Sequence, residues 1–128
     1  MILLLDTATP TCRLCFIDGD WRYDDEWEAD RELAKGLLGY LDAQLSKNHK
    51  TWQDISAIGV FRGPGSFTGL RIGLTVVNTI AEAENIPIIG AVGDNWQEEA
   101  LVRIKAGEND RIVLPHYGRE ATITSPRK

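Results

Sequence analysis

Apolar and polar positions change their spacing several times along the chain, and each change marks an element. Residues 1–6 form an apolar run that reads as a central strand, and 11–17 read as a second. Asp18-Gly19-Asp20 is a tight turn into a third strand around 21–27, where Trp21 and Tyr23 mix with Glu26 and Glu28 as on an edge strand. A helix over 30–46 follows, and 48–54 connect it to a short apolar run of Ile55, Ala57, Ile58, Val60 and Phe61 around Gly59, the pattern of a buried strand. The spacing then predicts a long helix from about 68 to 84, a strand over 86–91, a short helix over 95–105, a loop over 106–110 and a last strand over 111–114. Strands interleaved with helices, and one hairpin, predict an α/β fold with a mixed sheet.

Both long helices have more than one face that wants company. On the first, Leu33, Leu37, Leu38, Leu41 and Leu45 form an apolar stripe suited to the sheet, while Gly36, Gly39 and Ala43, flanked by Tyr40, lie nearly opposite. A glycine inside a helix costs roughly 1 kcal/mol relative to alanine, so close packing against something is expected there, unless the face simply drifted. On the second helix Leu70, Leu74, Val77 and Ala81 make one face and Ile72, Val76, Ile80 and Ala83 another, with Gly69 and Gly73 between. Such a helix is covered on two sides, by its own fold or by a partner.

Between the buried strand and that helix lies RGPGSFTGLRIGL, starting at Arg62. Pro64 fixes its own φ, Gly63 and Gly65 reach dihedrals closed to other residues, and Ser66 or Thr68 can cap the helix. A glycine-rich turn at a helix start resembles a phosphate cradle. This one lacks the Gly-Lys-Ser/Thr ending and the dinucleotide spacing, so a rigid strand-to-helix corner is the simpler reading.

The same thirteen residues resemble the signature of the TsaB (YeaZ-like) family, relatives of TsaD-type enzymes within the actin-like ATPase superfamily. The start MILLLDTAT, the run NIPIIGAV and the tail VLPHYGREATITSPRK agree with it in order and spacing. The resemblance implies one actin-like, ribonuclease H-like lobe with a shortened second lobe: 1–92 as the amino-terminal lobe, 93–110 as a short helix and loop, and 111–128 as a family-like tail. With only 93–110 before that tail, no room for a second lobe is expected. The signature loop comprises Arg62, Gly63, Pro64, Gly65, Ser66, Phe67, Thr68, Gly69 and Arg71. The resemblance further implies a non-catalytic subunit that pairs with a TsaD-type enzyme and supports threonylcarbamoyl transfer to the adenosine beside the anticodon of tRNA. A TsaE-type ATPase would be a further partner, and tRNA would be met only through the complex. The partner interface would use Gly36, Gly39, Tyr40, Ala43, Gly69, Ile72, Gly73, Val76 and Ile80. By position, Asp6, Thr7 and Thr9 match the acidic residue and hydroxyls of a nucleotide site, here vestigial; alternatively Asp6 caps a turn. The first helix lacks the His-x-x-x-His metal pair of transferases in this superfamily, so neither metal nor cofactor is expected, and Ser66 is not read as a nucleophile. A small nucleotide hydrolase using Asp6 and the Ser66 turn, or a homodimer using the same helical surface, are the alternatives.

Charge and cysteines refine this picture. Fourteen basic against nineteen acidic residues give a net charge of −5, unsuited to wide contact with nucleic-acid phosphates, so another subunit should hold tRNA. The basic residues Arg119, Arg127 and Lys128 either approach tRNA or form a solvated tail. Cys12 and Cys15 have redox-motif spacing but lie in a strand, where residues three apart face opposite ways, so two reduced, structural thiols are expected. No run of about 18 apolar residues spans a membrane and no basic leader precedes the first strand, which predicts a cytoplasmic protein without membrane contact.

Overall fold

The computed structural model describes residues 1–117; Arg119, Arg127, Lys128 and the rest of 118–128 lie outside them. Strands β1 (Ile2–Asp6), β2 (Thr11–Asp18) and β3 (Trp21–Glu28) form an antiparallel meander, and β4 (Ala57–Gly63) and β5 (Ile88–Val92) add to it in parallel. The sheet order is β3-β2-β1-β4-β5. Helices α1 (Leu33–Lys47) and α2 (Phe67–Glu84) cover one face and α3 (Trp96–Lys105) the other. Among the described residues no helix is long and apolar enough to cross a membrane.

Alternation along the strands sorts the two cores. Leu3, Leu5, Cys12, Leu14 and Phe16 pack under α1 and α2, while Leu4 and Cys15 join Ile89, Ala91, Trp96 and Ala100 under α3. Cys12 and Cys15 therefore sit on opposite faces as free, buried thiols, and burial pushes both up to about 12. The stripe of α1 is narrower than its leucines suggest. Leu33, Leu37, Leu41 and Leu45 are buried, but Leu38, about 100° further round the helix, is 56% exposed. That helix begins at Leu33 because Asp30, at φ 46°, opens a separate 3-10 turn, Asp30–Glu32.

The strand expected over 111–114 does not form. The outer edge of β5 is already filled by side chains: Asn109 Oδ1 accepts from Ile88 N at 3.1 Å, Asp110 Oδ2 accepts from Gly90 N at 2.9 Å, and Arg103 Nη1 donates to Gly90 O at 3.3 Å. Residues 112–114 are instead held by Asn78 of α2, whose amide donates to Val113 O and accepts from Val113 N, both at 2.9 Å. At the opposite end of the sheet, β3 leaves Asp24, Glu26 and Glu28 exposed. Parallel pairing of β1 with β4 brings their carboxyl ends side by side, so the loop after β1 meets the loop before α2.

Candidate functional site

The signature loop is built on the loop that follows β1. Ser66 N donates to Ala8 O at 2.8 Å, and Ser66 Oγ accepts from Gly69 N at 3.3 Å, which makes Ser66 the N-cap. Gly63, at φ 133°, holds a conformation that side chains disfavour. Gly65 is required for closeness rather than dihedral: a Cβ there would strike Ala8 Cβ at 2.5 Å. Thr7, 1% exposed, plugs the notch left by Gly69 and Gly73, and its hydroxyl donates to Gly69 O at 2.7 Å.

These contacts give the three residues placed in a vestigial nucleotide site internal duties. The Thr7 hydroxyl is spent on the α2 backbone. Asp6 Oδ1 accepts from Ala8 N at 2.8 Å, capping the turn, and burial pushes its carboxyl up against the opposing effects of that bond and of Arg13. Thr9 Oγ1 donates to Thr11 O at 3.0 Å. Beside them, at the head of α2, a cavity of about 230 Å³ is lined by Thr9, Asp30, Arg31, Ser66 and Thr68 among others. Among the described residues no three His, Cys, Asp or Glu side chains gather as metal ligands.

An apolar groove of about 420 Å³ runs along the outer side of α2, lined by Ala34 from α1 and by Phe67, Thr68, Arg71, Ile72, Thr75 and Val76. Phe67 is 54% exposed, the Arg71 guanidinium lies 5.1 Å above its ring centroid, and the Tyr117 ring lies 4.9 Å away. Of the residues assigned to a partner surface, half-buried Ile72 and Val76 line this groove, while Gly39 and Ala43 are exposed and Gly39 faces open space. The others make contacts within the chain. Gly36 makes room for Trp27, and Tyr40 stacks on that indole at 5.0 Å while donating to Asp25 at 2.5 Å; burial and this bond push its phenol up. Gly69 and Gly73 receive Thr7, and Ile80 lies in the core. Ala34, Thr75 and Tyr117 escaped the sequence reading because nothing in their local pattern marks them. Asn78 carried a signal, an amide in the middle of an apolar helix, where such residues disfavour helix unless they bond elsewhere.

A family model described as "TsaD: tRNA N6-adenosine threonylcarbamoyltransferase" matches residues 27–92. Among curated proteins, the "tRNA threonylcarbamoyladenosine biosynthesis protein TsaB" of Escherichia coli (strain K12) is 30% identical over 118 residues, covering 87% of this chain and 51% of that protein. The "tRNA N6-adenosine threonylcarbamoyltransferase" of Lacticaseibacillus casei (strain BL23) is 42% identical over 61 residues, covering 48% of this chain and 18% of that one. The chain thus spans about half the length, or less, of the curated relatives it matches. Among solved structures, "YeaZ from Pseudomonas aeruginosa" superposes with a TM-score of 0.67 at 30% identity, covering 71% of this chain and 43% of that chain.

Proposed function

The chain belongs to the TsaD family of tRNA N6-adenosine threonylcarbamoyltransferases and is TsaB-like within it, and from this premise we propose that it is a non-catalytic subunit supporting threonylcarbamoyladenosine synthesis on tRNA. Its partner in this reading is a TsaD-type enzyme, with a TsaE-type ATPase as a further member, and the complex works in the cytoplasm. The groove carries the proposal: Phe67, Ile72 and Val76 of α2, with Ala34 of α1, line an apolar surface of the kind that marks a protein interface. The internal duties of Asp6, Thr7 and Ser66 favour support over catalysis. A net charge of −5 favours tRNA being held by the partner. The subunit would act by binding one conformation of the enzyme better than another and so shifting its population.

Co-purification with the TsaD-type protein of the same source, followed by a tRNA-modification assay with and without the chain, tests this. A stable complex and chain-dependent activity are expected. Thr75→Arg, which puts bulk and charge into the groove from an exposed position, should lose both without lowering the unfolding midpoint. Equal modification with and without the chain would end the proposal, as would self-association alone.

A further inference from the structure

We propose that residues 112–117 form a latch that holds the signature loop in shape, and that Asn78 is the positioning residue fastening this latch to α2. The segment enters the core by one side chain. Val113 is 3% exposed, whereas Ile112 and Leu114 on either side are each 66% exposed. Both polar atoms of the Asn78 amide are used on the Val113 backbone, so one side chain does for this segment what a neighbouring strand would do. From there the latch crosses to the end of β4, where the signature loop begins: Arg62 Nε donates to Leu114 O at 3.1 Å, and His116 N donates to Arg62 O at 2.7 Å. The His116 carbonyl lies directly over Gly63, leaving no room for a side chain, and Tyr117 packs on Phe67. Arg62, Gly63 and Phe67 are thereby held from outside the loop, at its entrance and at the first residue of α2.

A segment tied to α2 and β4 by one buried side chain and four hydrogen bonds opens well before the lobe unfolds. When it lifts, Gly63 loses its cover and Phe67 loses its aromatic neighbour. Phe67 also lines the groove along α2, so the latch would set the shape of that surface; this last link rests on the proposed function, whereas the latch itself does not.

Hydrogen exchange read by mass spectrometry on the full chain tests the latch without any partner. In Asn78→Ala, peptides covering 112–117 and 62–69 should both exchange about tenfold faster or more than in the parent, while those covering β1 and β2 keep their rates. Val113→Ala should give the same pattern, and serves alone should Asn78→Ala not fold. Faster exchange in 112–117 with 62–69 unchanged would overturn the proposal, as would unchanged rates in both or an equal rise throughout the chain.

Discussion

Replacing Gly73 by alanine tests whether Thr7 fixes the approach of α2 to the end of β1. Two effects compete. Alanine favours the helix by roughly 0.5–1 kcal/mol over glycine. Against this, the new Cβ would lie 2.9 Å from Thr7 Cγ2 and 3.0 Å from Thr7 Cβ, and closer still to Oγ1. Carbon atoms rest comfortably at about 3.5–4.0 Å, so helix and plug must separate by about 0.5–1 Å. Overpacking of that kind costs roughly 1–3 kcal/mol. Moving the Thr7 hydroxyl off Gly69 O costs a further ~0.5–1.5 kcal/mol. The clash wins, and a net loss of about 1–3 kcal/mol is expected, a large part of the roughly 5–15 kcal/mol that holds such a domain together. In urea unfolding followed by tryptophan fluorescence, with a slope of about 1–3 kcal/mol per molar, the midpoint should fall by about 1 M. Thr7→Ala removes Oγ1 and Cγ2 and leaves only the 3.0 Å contact, so Gly73→Ala should cost less in that background. A Gly73→Ala protein as stable as the parent, or a double-mutant cycle without coupling, would refute the plug.

Gly39 supplies the opposite case: an added Cβ meets nothing within 4 Å, so Gly39→Ala should stabilise by roughly 0.5–1 kcal/mol, seen as a higher thermal midpoint, and a lower one would contradict the open space. Because the folded-state pKa of Asp6 is raised, the folded chain binds this proton more readily than the unfolded chain, so stability should fall as pH rises through the carboxylate range and level off above it. Asp6→Asn, which can still accept from Ala8 N, should remove that slope in urea titrations at stepped pH; a parent that gains stability over Asp6→Asn as pH rises would reverse the sign argued here. Cys12 and Cys15, buried and pushed up to about 12, should resist iodoacetamide at pH 8 in the native chain and both react in urea, and prompt native labelling of either would place that thiol at the surface.

The parts of the fold that could be read from sequence are those whose partners are dictated by local pattern. The apolar run before Arg62, the Ser66 cap and the two-faced α2 each announce themselves within a few residues, and the hairpin turns where its Asp-Gly signal lies. Residues 111–114 misled because Ile112, Val113 and Leu114 look like any short strand, while their hydrogen bonds go to the side chains of Asn78 and Arg62 rather than to a ladder. The helical glycines Gly36, Gly69 and Gly73 are places of close packing, whereas Gly39 faces open space. What fills Gly36 and Gly73 is Trp27 and Thr7 of the same chain, contacts that no periodicity encodes. For the same reason Ile72 and Val76 could be assigned to an outward face from their spacing, whereas Ala34 and Tyr117 reach the site only through folding.

The sheet is stopped from recruiting further strands at both ends, by different physics. At β5 the backbone groups that a new strand would need are occupied by Asn109, Asp110 and Arg103, a block that salt leaves in place. At β3 the guard is a line of exposed charged side chains, Asp24 paired with Arg22, Glu26 paired with Arg13, and Glu28, which a docking strand would have to strip of water, and mobile ions screen exposed charges over about 8–10 Å. Crowded copies of this chain in concentrated salt would therefore meet edge to edge through their hairpins sooner than through β5.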